Sequence, residues 1–285
     1  MSLSSRTRST LKAVATVAGA TAVAGSLIAA APVTGSTASS DKAAPQRAKP
    51  TVVLVHGAFA DASSWAGVVK RLQNDGYPVL AAANPLRGVT SDAAYLRSVL
   101  DTVHGPVILV GHSYGGSVIT QAAAGDPDVK ALVYIAAFIP NVGESAGDLA
   151  AKYPGSTLGE AVNPSSYPLS DGSTGTELTI KPELFHQQFA ADVPAPTAAI
   201  MAASQRPVTT LALDEKVSKA AWKDIPSYAM TAGQDRNIPP KAETWMAERA
   251  HARTVTLDGA SHAVAVSHPA AVTDLIVRAA RDTTR

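Results

Sequence analysis

Short, uninterrupted apolar runs recur along the chain from position 51, with stretches of helical periodicity between them. The first run is Thr51-Val52-Val53-Leu54-Val55; further strands are predicted over 77–82, 107–110, 129–136, 227–232 and 253–257. Runs this short, without polar alternation, predict strands buried on both faces, as in a parallel sheet. Between the first two, Val68, Val69 and Leu72 share one face of a helix over 68–74, which Gly76 closes. Ser91-Asp92 predicts the cap of a helix reaching about position 103, and Gly105-Pro106 breaks it. Residues 117–124 are small and helical in character. Pro239-Pro240 opens a helix to about position 250, and His268-Pro269 begins a closing helix with Val272, Leu275, Ile276 and Ala279 on one face. This alternation predicts an α/β fold: a mostly parallel, doubly wound sheet with helices on both faces.

The pattern breaks at Pro140. Residues 140–220 are rich in Pro, Ser, Gly and Thr, with short helical pieces at 145–152, 182–190 and 196–204 and no strand repeat. An insertion here, with core segments 51–139 and 221–285 on either side, is expected to lie over the C-terminal strand edge. Its larger residues, Tyr153, Tyr167, Phe185, Phe189 and Met201, either line a pocket or pack the insertion onto the body. At the other end, Arg6, Arg8 and Lys12 precede an uncharged small-residue run over 13–31, and Ser36-Thr37-Ala38 offers a cleavage site. That layout predicts a secretory signal peptide over 1–38, export, and no stable membrane association after cleavage. Residues 39–50, polar with Pro45 and Pro50, read as a disordered leader.

Composition narrows the chemistry. The chain has 285 residues, 46% of them hydrophobic, enough for one α/β domain with an insertion. Lys and Arg number 24 against 23 Asp and Glu, a formal charge of +1, so no basic excess suggests a nucleic-acid partner. Cysteine is absent, which excludes disulfides, a thiol nucleophile and a Cys-based zinc site.

One stretch carries the chemistry. Val107-Ile108-Leu109-Val110-Gly111-His112-Ser113-Tyr114-Gly115-Gly116 joins an apolar strand to G-x-S-x-G and then to a helix. This is the sequence form of a nucleophile elbow, with Ser113 on a sharp turn and small neighbours that permit it. A serine needs a base. His262 sits in the short loop after the last strand, whereas the place of His56 in His56-Gly57 suits a turn, and His112 should point away from the site. The imidazole needs a carboxylate. Asp235 follows a strand end and gives the order Ser…Asp…His; Asp258 is the rival. The expected oxyanion donors are the N–H of Tyr114 and that of Ala58, with Phe59 as the adjacent alternative. Phe59, Trp65 and Phe185 are candidate substrate-binding residues. No metal or organic cofactor is required.

With these positions assigned, the chain resembles the α/β-hydrolase superfamily over 51–281. His56-Gly57-Ala58-Phe59-Ala60-Asp61-Ala62-Ser63-Ser64-Trp65, Gly111-His112-Ser113-Tyr114-Gly115-Gly116 and Ser261-His262-Ala263-Val264 are similar to a bacterial branch close to plant methylesterases and hydroxynitrile lyases. The resemblance implies an α/β-hydrolase fold with a helical cap between strands, a Ser113-His262-Asp235 triad and hydrolysis of a small-molecule ester. The lyases carry Thr after the first-strand His and a Lys near the triad; here Gly57 and Arg236 stand instead, which argues against lyase chemistry. Two alternatives share the fold: a cofactor-free haloperoxidase or perhydrolase on the same triad, and a non-catalytic small-molecule receptor.

Overall fold

The computed structural model describes residues 48–284. The expected signal peptide over 1–38 and most of the leader over 39–50 lie outside the described residues. At the leader's end Pro50 is buried, and the Lys49 ammonium stands 4.4 Å over the Tyr77 ring.

The first half builds β1 (Thr51–Val55), α1 (Ala66–Asn74), β2 (Val79–Ala82), α2 (Val89–Leu100), β3 (Val107–Ser113), α3 (Tyr114–Ala122) and β4 (Val129–Ala137). After the insertion come β8 (Ser227–Ala232), α9 (Pro240–Arg249), β9 (Arg253–Leu257), α10 (Val264–Ser267) and α11 (Pro269–Thr283). These strands form one six-stranded sheet in the order β2-β1-β3-β4-β8-β9, with every neighbouring pair parallel. The chain first winds outward from β1 to β2, then back across β1 to β3. The switch therefore lies between β1 and β3, and in open parallel sheets ligands bind at the carboxyl ends of such a strand pair.

The uninterrupted apolar strands serve two cores. Val52, Leu54, Ile108, Val110 and Val133 face α1 and α11, which bring Val68, Leu72, Val272, Leu275 and Ile276. Val53, Val55, Leu109 and Leu132 face the other way, toward Leu96 and Leu100 of α2, Val118 and Ile119 of α3 and Met246 of α9. Burying each of Val272, Leu275 and Ile276 contributes about 1.5–3 kcal/mol. That packing fixes α11 and, through α10, the loop that carries His262.

The structure departs from the sequence expectation in three places. The second helix begins at Val89 with Gly88 as its cap, so Ser91 and Asp92 fall inside the first turn. Asp92 still serves that end from within: its carboxylate accepts the Arg87 N–H at 3.1 Å and the Tyr114 hydroxyl at 2.9 Å. The second strand is shorter than 77–82 because the Tyr77 N–H is taken by the Leu72 carbonyl at the end of α1. The third departure is in the insertion. Beside α4 (Ala146–Ala150), α5 (Leu158–Ala161), α6 (Pro182–Phe189), α7 (Ala195–Ser204) and α8 (Thr210–Asp214), it holds an antiparallel sheet of β5 (Val162–Pro168), β6 (Thr174–Ile180) and β7 (Val208–Thr209). β5 contains two prolines and is mostly exposed, so it shows neither an apolar run nor an alternation. Among the described residues no helix is long and apolar enough to cross a membrane.

Candidate active site

Ser113 ends β3 with φ 53° and ψ −125°, a conformation that costs a non-glycine residue on the order of 1–3 kcal/mol. Close packing holds it there. A Cβ on Gly115 would stand 2.6 Å from the Val55 carbonyl oxygen, and one on Gly57 would stand 2.6 Å from the Ser113 Cβ. The turn from β3 into α3 thus lies directly against the end of β1, and only glycine permits that approach. On the other flank the β3–β4 register slips between His112 and Ser113, with Ala136 at φ 41° absorbing the extra residue. The bulge lies in β4, and Ser113 pairs with Ala137 just beyond it, at the C-terminal end of the central strand β3.

His262 and Asp235 meet from the last two strands. His262 Nδ1 lies 2.5 Å from Asp235 Oδ2, and both residues are buried. The other oxygen, Oδ1, accepts the N–H groups of Asn237 at 2.6 Å and Ile238 at 3.0 Å. Burial alone would raise the Asp235 carboxyl. Its contact with His262, together with the side chain of Glu243 and the N–H of Ile238, holds it below the usual carboxylate range. Asp235 is therefore an anion that fixes the proton of His262 on Nδ1 and leaves Nε2 as the basic atom. The other two strand-edge histidines do structural work. The Asn84 N–H donates to His56 Nε2 at 3.0 Å while His56 Nδ1 donates to the Gly57 carbonyl at 2.9 Å. His112 Nε2 donates to the His262 carbonyl at 2.9 Å, and burial, then the nearby His262, drive His112 down to about 3. A neutral His112 thus braces the backbone of His262.

Ser113 and His262 line one cavity of about 450 Å³, together with Ala58, Phe59, Tyr114, Phe138, Leu158, Leu213, Asn237 and Ile238. No charged side chain lines it. The N–H of Phe59 is committed to the Arg206 carbonyl at 3.2 Å, which leaves Ala58 as the better donor on that side. The Tyr114 ring is turned away: its hydroxyl is held by Asp92, so this residue faces the cavity mainly with its backbone. Asp258, the rival acid, is exposed. Asp235, Glu243 and His262 bring ligand-type atoms within 4.8 Å of one another. The 2.5 Å contact between His262 and Asp235 is closer than two ligands of one tetrahedral ion would stand, each about 2.0–2.2 Å from the metal.

The sequence profile of the alpha/beta hydrolase family matches residues 52–275. The chain belongs to the alpha/beta hydrolase family. It is 27% identical to the alpha/beta hydrolase nvfD of Aspergillus novofumigatus, over 82% of this chain and 96% of that protein. It is also 27% identical to the esterase PIR7B of Oryza sativa, over 80% of this chain and 94% of that one. Among solved structures, polyneuridine aldehyde esterase superposes with a TM-score of 0.70 at 20% identity, covering 81% of this chain and 98% of the other. A pyrethroid hydrolase from Sphingobium faniae gives 0.65 at 21% identity, covering 81% and 97%. Kinship puts the chain among carboxylic-ester hydrolases.

Two candidate substrate contacts of this alpha/beta hydrolase lie elsewhere. Trp65 is fully buried in the core beneath the opposite sheet face, where it meets the His112 ring edge-on. Phe185 is also fully buried, stacked on Phe189 with ring centroids 5.0 Å apart. Both are large apolar side chains drawn into packing by the area they bury. Phe59 does line the cavity, at φ 60°. Three cap residues that the sequence did not single out for this task hold the site together. The Gln188 amide donates to the Arg236 carbonyl at 2.8 Å and accepts the Thr157 hydroxyl at 2.7 Å. The Phe189 carbonyl accepts the Ala263 N–H at 3.0 Å, and its ring packs edge-on against His262. Helix α6 therefore grips both the acid loop and the histidine loop.

Proposed function

We propose that this hydrolase cleaves small, neutral carboxylic esters through Ser113, His262 and Asp235, by way of an acyl-enzyme. The observation that carries the reading is the shared cavity: Ser113 and His262 line it, and the far ring nitrogen of His262 rests on buried Asp235. In the reaction His262 Nε2 takes the Ser113 hydroxyl proton as Oγ attacks the ester carbonyl. The N–H groups of Ala58 and Tyr114 receive the oxyanion, each worth about 2.7–4 kcal/mol. The tetrahedral intermediate expels the alkoxide, which takes the proton from His262. Water, deprotonated by His262, then releases the acid and regenerates Ser113. An uncharged lining disfavours ionised acyl groups, because a buried charge without a partner is costly. A fluorophosphonate should modify Ser113 alone, and turnover of aryl esters should fall as the acyl chain outgrows the cavity. Labelling at another residue, or inertness across acetate to decanoate esters, would sink the reading.

We also propose export, on the basic segment and uncharged run of residues 6–31. The mature protein recovered from the medium should begin near position 39. A cell-retained product beginning at Met1 would refute that.

A further inference from the structure

A second carboxyl lies behind Asp235 and has no part in the reaction above. Glu243 stands on α9 and is 2% exposed. Its Oε2 accepts the N–H of Ala232, the last residue of β8, at 2.8 Å. Its Oε1 is buried, and no N–H or hydroxyl group donates to it. The carboxyl oxygens of Glu243 and Asp235 fall within 4.8 Å of each other and of His262. Two carboxyl groups so close and so deeply buried do not both ionise, because burial strips the solvation that would offset the second negative charge.

The donors decide which one keeps the proton. Asp235 receives three N–H groups, from Asn237, Ile238 and His262, and each favours the anion. Glu243 receives one. The proton therefore belongs to Glu243, and Oε1 is the oxygen free to carry it. We propose that Glu243 is a positioning residue: held as the neutral acid, it donates from Oε1 to the Asp235 carboxylate that orients His262. This rests on the reading of Ser113, His262 and Asp235 as the triad. Burial, then the charge of Asp235, push the Glu243 carboxyl well above its ordinary range, and the same contact helps hold Asp235 low. The titratable groups facing Glu243 are Asp235, from the loop after β8, and His262, from the loop after β9. A neutral acid here locks the carboxylate without adding a second anion that would keep His262 protonated.

Glu243→Gln and Glu243→Met separate the possibilities. Gln keeps an acceptor for Ala232 and offers an amide N–H to Asp235, with no change of charge. Its kcat should stay within about twofold of wild type, with the acid limb of the kcat/KM pH profile unmoved. Met removes the donor, and kcat should fall about 10–100-fold, as when orienting partners are lost elsewhere, with KM little changed. A downward shift of the acid limb in Glu243→Gln would show that Glu243 had been ionised and would overturn the proposal. So would wild-type kcat in Glu243→Met. Infrared spectra of the Ser113→Ala protein, with and without Glu243→Gln, should differ by one neutral-carboxyl band. That readout needs no turnover and survives a misfolded Met variant; absence of the band overturns the proposal. A failure of the triad reading itself shows separately, as full activity in Ser113→Ala.

Discussion

Replacing Ser113 with alanine is expected to lower kcat for ester hydrolysis by about 10⁴–10⁶, with folding unchanged. The magnitude follows from what remains. Without the nucleophile, the oxyanion donors and the cavity still bind and polarise a carbonyl, and such residues sustain about 10³–10⁴ over water. The control lies in the backbone. Ser113 holds φ 53°, and alanine inherits the same strain. Ser113→Gly should be equally inactive yet more stable by about 1–3 kcal/mol, because glycine occupies positive φ without the Cβ clash. Denaturant melts of both variants beside their kinetics then separate a missing hydroxyl from a damaged elbow. Ser113→Ala with a tenth of wild-type activity would remove Ser113 from the role of nucleophile.

The elbow was legible in the sequence because its geometry forces residue choice. Gly57 and Gly115 stand where a Cβ would collide with neighbouring atoms, and an apolar strand must lead into the turn. The central strands were legible for a related reason. Val52 and Leu54 point into one core while Val53 and Val55 point into the other, so no polar residue interrupts the run. The cap sheet fails that test. Val162 to Pro168 pairs along its whole length with β6, yet its outward residues bear no core and leave no apolar pattern. Trp65 and Phe185 show a different limit: a large apolar residue in the sequence does not tell whether its side chain lines a cavity or fills a core. Glu243 was hidden for a third reason. It lies eight positions beyond Asp235 on the next helix, and nothing in a helical glutamate's sequence neighbourhood tells that it is turned inward onto another acid.

Asp235→Asn is expected to lower kcat by about 10⁴ while leaving substrate binding nearly intact. The reason is a tautomer. The backbone N–H groups of Asn237 and Ile238 occupy Oδ1, and they would keep the amide oxygen of an asparagine in that place. Its N–H₂ then faces His262 Nδ1, where the Oδ2 acceptor stood at 2.5 Å. Two donors do not bond, so His262 shifts its proton to Nε2, the atom that has to accept the serine proton. The imidazolium formed in the transition state also loses its buried counter-charge. Glu243 responds in the opposite sense. With the Asp235 anion gone, the charge that helped raise its carboxyl is gone too, and Glu243 should ionise at a lower pH than in the wild-type protein. The matched control is Asp258→Asn, at an exposed turn residue, which should leave kcat within about twofold of wild type. Nitrogen-15 spectra of His262 should report Nδ1–H in wild type and Nε2–H in Asp235→Asn. Full activity in Asp235→Asn, or a large loss in Asp258→Asn, would transfer the acid's role from the strand-end loop to the turn before His262.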